Sequence, residues 1–182
     1  MSRQHLVRIG VLGHVGRFTS ADGRAYPRGS RVVCRTVRGL ELGEVLSAAG
    51  VMAEQADGVL LRAMTVEDDL LHGRLEKNRR QAFDACSDLL RQRGAAAVLM
   101  EVEQLFDGSS LYFYFLGEVP PEVEALVGEL TETYEAEARL RSFADTLSAG
   151  CGPGCGTEEA AGCGSSGSGC ASCAVSGACG VR

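Results

Sequence analysis

The sequence predicts an α+β fold, made of a small β unit, a larger α+β unit and a cysteine-rich tail. Three observations support this prediction. The first 50 residues alternate short β-branched runs with glycines, and residues 58–146 switch between helical and strand periodicity. The last 32 of the 182 residues are mostly glycine, serine, alanine and cysteine. Because residues 151–182 have too few large apolar side chains to bury a core, we expect them to form a disordered tail.

Residues 1–50 are predicted to form a small antiparallel, barrel-like β unit. The runs HLVRIGVLG from His5 and RVVCRTV from Arg31 are rich in branched residues, which is typical of strands. A turn at 21–24 and a break at Gly39 separate successive runs. Because no helical pattern interrupts them, we expect these strands to pair with one another in one curled sheet.

Residues 58–146 are predicted to form a ferredoxin-like βαββαβ unit. The predicted elements are a strand at 58–64, a helix at about 66–93, hairpin strands at 97–106 and 110–118, a helix from Pro121 and a strand at 137–143. Thr65 is a typical helix N-cap and Gly94 a typical C-terminal cap. The sequence Asp-Gly-Ser at 107–109 is a strong hairpin signal.

Charge is distributed unevenly along the chain. The net charge is −6, but residues 1–40 carry +7 and residues 41–182 carry −13. The basic segment predicts a surface that binds RNA, an acidic partner or the acidic half of its own chain. Four arginines are assigned to this surface: Arg28, Arg31, Arg35 and Arg38. An acidic chain binds phosphate weakly without help, so a protein or intramolecular partner is favoured over RNA.

Several function classes are disfavoured because their motifs are missing. The sequence contains no G-x-S-x-G nucleophile motif, no Walker loop and no H-E-x-x-H pair, so we expect no enzymatic activity. A redox or hydrolytic enzyme is therefore the least favoured hypothesis. The sequence also has no run of about 18 apolar residues and no secretory signal pattern, which predicts a cytoplasmic protein without membrane insertion.

Six of the eight cysteines lie in the tail and are all candidate metal ligands: Cys151, Cys155, Cys163, Cys170, Cys173 and Cys179. Cys170 and Cys173 have the C-x-x-C spacing that lets two thiolates bind one ion. With Cys151 and Cys155 they would supply four ligands for zinc or an iron–sulfur cluster. Free thiols and disulfides are the alternatives. A thiol-rich protein that binds zinc or other soft metals is thus an alternative function.

Cys34 and Cys86 fall outside the tail. Cys34 lies within a strand pattern, and Cys86 lies on the apolar stripe of the long predicted helix. Buried, unreactive thiols are common at such positions. Both cysteines are therefore predicted to belong to the core.

Three segments, in order along the chain, resemble the signature of one known family. They read VRGLELGEV at 37–45, RAMTVED at 62–68 and MEVEQLFDGSSLYFYF at 100–115. The family is the polymerase-suppressor C-terminal homology family, with its YaaT-like (RicT-like) regulatory iron–sulfur proteins. The resemblance covers about residues 5–156.

The resemblance implies an accessory protein and not an enzyme. Members of this family assemble with two small helical proteins, support a sporulation phosphorelay and help a membrane-anchored endonuclease to process transcripts. They carry iron–sulfur clusters, and their cysteine segment corresponds to GCGPGCG at 150–156, which assigns Cys151 and Cys155 as ligands. We therefore expect a regulatory or assembly subunit of a hetero-complex, with direct RNA contact left open.

Overall fold

The computed structural model describes residues 3–47, 55–132 and 137–142, and the predicted tail lies outside these ranges. Five strands form a first sheet: β1 (Gln4–Ile9), β2 (His14–Ser20), β3 (Arg31–Arg35), β4 (Leu40–Val45) and β5 (Gly58–Ala63). Three strands form a second sheet: β6 (Val98–Gln104), β7 (Ser110–Leu116) and β8 (Glu137–Ser142). The helices are α1 (Val66–Arg93) and α2 (Pro121–Glu132).

The first sheet is a closed barrel in the order β1-β2-β5-β3-β4, and β1 closes it by pairing with β4. Neighbouring strands are antiparallel except for β2 and β5, which are parallel. Because side chains alternate along a strand, every second residue faces the interior. The barrel core contains Val7, Ile9, Phe18, Tyr26, Val32, Cys34, Val45 and Leu60. The predicted barrel-like β unit is thus confirmed, apart from its one parallel pair.

The second sheet has the order β6-β7-β8 and carries both helices on one face. β6 and β7 form the predicted antiparallel hairpin, whereas β7 and β8 are parallel and are connected through α2. The core between helices and sheet contains Ala82, Cys86, Leu90, Val102, Leu111, Phe113, Phe115, Val123 and Val127. The predicted α+β class is therefore confirmed.

The ferredoxin-like prediction is wrong for its first strand, because β5 belongs to the barrel. The barrel unit thus extends to Ala63 and does not end near residue 50. β5 is apolar on both faces: Leu60 points into the barrel, and Leu61 packs outside it. Since β5 pairs with both β2 and β3, it covers two strand edges that would otherwise stay open.

Helix α1 has the predicted bounds and joins the two sheets. Its N-terminus is closed by a capping box between Thr65 and Asp68, and Gly94 ends it in the left-handed conformation. Near its N-terminus, Leu75 packs with Val33 on the outer wall of the barrel and with Phe106 after β6. Neither of the two described helices is long and apolar enough to cross a membrane.

Candidate functional site

Two of the signature segments meet where the barrel contacts the second sheet. Arg38 lies in the turn between β3 and β4 and donates to Glu103 Oε2 at 2.8 Å and to Glu41 Oε1 at 3.1 Å. Its guanidinium also donates to the Tyr114 hydroxyl oxygen at 3.0 Å. One arginine of the barrel thus holds β6 and β7 of the second sheet. We call Arg38, Glu41, Glu103 and Tyr114 the junction cluster.

Two buried carboxylates share the single guanidinium of the junction cluster. Glu41 and Glu103 are only 3% and 6% exposed. Glu103 also accepts hydrogen bonds from the Tyr114 hydroxyl at 2.8 Å and from the Val11 backbone N–H at 3.0 Å. Glu41 accepts one from the Thr36 hydroxyl at 2.6 Å. These bonds offset the cost of removing two negative charges from water.

The electrostatics of the junction cluster keep Arg38 and Tyr114 protonated. Burial alone would lower the pKa of Arg38, but the hydrogen bonds and charges of Glu41 and Glu103 outweigh it and raise that pKa. Burial and the charge of Glu103 raise the pKa of Tyr114. Because both groups keep their protons near neutral pH, Arg38 keeps its positive charge and Tyr114 its donor hydrogen in the contact between the two units.

A second contact interlocks the turn at Gly39 with the hairpin turn at Asp107. Asp107 Oδ2 accepts from the Leu40 backbone N–H at 3.1 Å, and Oδ1 accepts from the Ser109 N–H at 2.9 Å. Gly39 has a φ of 145°, and a Cβ there would lie 2.7 Å from Asp107 Oδ2. The sequence predicted the hairpin, but not its contact with Leu40, because the two turns are 67 residues apart.

The remaining signature segment, at 62–68, forms the start of α1. Arg62 donates to both oxygens of Asp68, while the Thr65 backbone N–H donates to the same carboxylate at 2.9 Å. The hydrogen bonds from Arg62 outweigh burial and hold the pKa of Asp68 below its usual range. Within this segment, Arg62, Thr65 and Asp68 therefore serve to begin a helix and to fix its angle to β5.

A groove with a volume of about 710 Å³ opens beside the junction cluster at the mouth of the barrel. Its lining includes Ile9, Leu12, Phe18, His14, Arg38 and Arg141. The guanidinium carbons of Arg38 and Arg141 lie 4.9 and 6.0 Å from the centre of the Tyr112 ring. A groove of this size is large enough for a small molecule or for a side chain of a partner.

The four arginines predicted as one binding surface differ in their surroundings. Arg38 is partly buried and paired with Glu41 and Glu103, and its assignment as a binding residue stays a prediction. Arg31 pairs with Asp69 at the start of α1. Arg28 and Arg35 are exposed near opposite ends of β3, and neither makes an ion pair within the described ranges. Part of the positive charge of the first 40 residues thus neutralises acids of the same chain.

The six tail cysteines predicted as ligands lie outside the described residues: Cys151, Cys155, Cys163, Cys170, Cys173 and Cys179. Cys34 and Cys86 are buried free thiols, as predicted. Burial, together with the charge of Glu41, raises the pKa of Cys34 to about 12, and burial raises that of Cys86 to about 11. Neither thiol is therefore a ready ligand or nucleophile at neutral pH.

Comparison with known proteins gives two similarities. The family model described as the PSP1 C-terminal conserved region matches residues 58–142, which run from β5 to the end of β8. The "Stage 0 sporulation protein YaaT" of Bacillus subtilis (strain 168) is 30% identical over 142 residues, which are 75% of this chain and 51% of that protein. The chain thus spans about half the length of this relative. No solved structure matches the chain.

Proposed function

Because the chain belongs to the PSP1 C-terminal family, we propose that it is a cytoplasmic, non-enzymatic regulatory subunit of a protein complex. One observation carries this proposal: charged side chains of all three signature segments are paired within the chain. Asp68 bonds to Arg62 within its own segment, whereas Arg38 and Asp107 each bond to a distant part of the described fold. Arg38 and Asp107 thus stabilise the contact between the units, which leaves the exposed surfaces as the places where partners bind.

We propose further that the complex modulates RNA processing or a phosphorelay. The resemblance to YaaT-like proteins supports this role, and the relative is named for stage 0 of sporulation. Any direct contact with RNA would fall to exposed arginines such as Arg28 and Arg35, since Arg31 and Arg38 are ion-paired. The identity of the protein partner distinguishes the two roles, because one requires a nuclease and the other a kinase or phosphotransferase.

Purification of the tagged full-length chain from its own cells tests the proposal. At an ionic strength of about 0.15 M, near the physiological value, we expect one or more other proteins in a fixed ratio to the chain. Quantitative mass spectrometry identifies them and measures that ratio. Recovery of the chain alone, or a chemical reaction catalysed by the isolated chain, would contradict the proposal.

An iron–sulfur cluster is the cofactor that the family resemblance implies, and we propose that the tail binds it. Among the described residues, no group of three or more His, Cys, Asp or Glu is arranged to hold a metal ion. The tail supplies six thiols, and thiolates are the ligands such clusters require. Cys151, Cys155, Cys170 and Cys173 are the proposed ligands, and a bound zinc ion is the alternative.

Anaerobic purification followed by metal analysis tests this assignment. We expect iron and acid-labile sulfide in stoichiometric amounts in the full-length chain, and neither in a chain that ends at Ala149. The circular dichroism of the shortened chain should stay that of a folded α+β protein, because every described strand and helix ends before this residue. Zinc without sulfide would favour a structural metal site, and equal metal content in both chains would exclude the tail as ligand.

A further inference from the structure

The first half of α1 has an exposed face that is not explained by the fold. Val66 and Leu70 are 73% and 66% exposed. Gly73 and Lys77 follow them at helical spacing, so all four residues lie on one side of the helix. The buried side of the same helix contains Leu75, Ala82, Cys86 and Leu90. The exposed side is therefore a separate surface, which we call the α1 face.

Three cations border the apolar residues of the α1 face. Arg74, Lys77 and Arg80 are exposed, and none of them makes an ion pair within the described part of the chain. The acids Asp69 and Glu76 of the same stretch already pair with Arg31 and Arg79, so the middle two turns of the face are positive. This local positive charge lies in the otherwise acidic part of the chain, since residues 41–182 carry −13. Such a surface attracts acidic partners more strongly than basic ones.

Gly73 is the second observation that points to a partner. Glycine in the interior of an exposed helix lowers helix stability relative to alanine. Nothing in the fold requires it, because a Cβ at this position would meet no atom within 4 Å in the described chain. A missing side chain allows the backbone of a second helix to approach closely, since the side chains at the contact set the distance between helix axes.

We propose that the α1 face binds an acidic, amphipathic helix of a partner protein. This proposal rests on the proposed function in a protein complex and names the surface that such a partner uses. The face extends from Val66 to Arg80, about 21 Å at the rise of an α-helix. Apolar side chains of the partner helix would cover Val66 and Leu70, its acidic side chains would pair with Arg74, Lys77 and Arg80, and its backbone would cross at Gly73.

Three variants of the full-length chain test the proposal in the same purification from its own cells. In the first, Arg74→Glu and Lys77→Glu reverse the charge of the face. In the second, Gly73→Ala adds one methyl group at the expected crossing point. The third, Arg93→Glu, is the matched control, since it reverses an exposed arginine in the last turn of the same helix, outside the α1 face. A photo-crosslinking side chain at position 70 identifies the segment that contacts the face.

We expect the double charge reversal to reduce the recovered partner about tenfold, which corresponds to about 1.4 kcal/mol in binding. Gly73→Ala should reduce it several-fold while raising Tm by about 2–4 °C, so that unfolding cannot explain the loss. Arg93→Glu should bind as the wild type does. The crosslinked segment should be acidic and helical, and its binding should weaken as salt rises.

The possible failures are distinguishable. If the wild type recovers an identified partner and both α1 variants recover the same amount, the α1 face is not the binding surface, and the proposed function stands. If the wild type recovers no partner, the proposed function and this inference both fail. Crosslinking at position 70 to nucleic acid, to lipid or to a second copy of the chain would also overturn the inference.

Discussion

Replacement of Arg38 by alanine should lower the free energy of unfolding by about 3–5 kcal/mol, the usual cost of removing one partner from a buried ion pair. Two carboxylates depend on this guanidinium, and both Glu41 and Glu103 are almost fully buried. Without Arg38 each would keep its neutral donors, but no positive charge would face it within the junction cluster. Urea unfolding, followed by circular dichroism, measures the change.

Arg35→Ala is the matched control for Arg38→Ala. Arg35 lies three residues earlier and is exposed, with no ion pair to the described part of the chain. Its replacement should change the free energy of unfolding by less than about 0.5 kcal/mol, as is usual for a surface substitution. If the two variants were equally stable, the junction cluster would not be what holds the barrel against the second sheet.

Replacement of Gly39 by alanine should destabilise the chain by about 3 kcal/mol, because two costs combine. The backbone has a φ of 145°, which side chains rarely tolerate. The new Cβ would also lie 2.7 Å from Asp107 Oδ2 and 2.9 Å from Leu105 Cδ1. To make room, Asp107 would have to move away from the Leu40 N–H. Thermal and urea unfolding both report the loss.

Gly23→Ala is the control that measures the loss of stability from a positive φ alone, without the steric clash of a new Cβ. Gly23 also has a positive φ, of 69°, but a Cβ there would meet nothing within 4 Å in the described chain. This variant should lose only about 1 kcal/mol, the ordinary cost of a left-handed conformation. A similar loss in the two variants would mean that the contact between Gly39 and Asp107 contributes little to the junction.

The signature segments therefore have a structural role that was not evident from their residue types. The sequence Arg-Gly-Leu-Glu at 38–41 could be interpreted as a ligand site, since arginine and glutamate are common in such sites. In this fold, Arg38 bonds both to Glu41 and to Glu103 of the second sheet. The segments that carry the family resemblance thus hold the barrel against the second sheet. The α1 face and the tail are the regions that we propose for the partner and the cofactor.

The sequence alone determined the local elements of this protein. The bounds of α1, its capping residues, the β6–β7 hairpin and the start of α2 all follow from periodicity and turn chemistry within a few residues. The burial of Cys34 and Cys86 followed from the same patterns. These predictions succeed because each depends on neighbours in the chain, which the sequence shows directly.

Only the tertiary structure decided where β5 pairs and what Arg38 does. β5 is apolar on both faces, so its own residues suit either sheet, and the open edges of β2 and β3 determine its place. Arg38 meets Glu103, 65 positions further along the chain. The residue type does not distinguish an exposed arginine from a partly buried, paired one such as Arg38. The difference lies in the carboxylates that folding brings within hydrogen-bond distance, and local sequence patterns do not encode that distance.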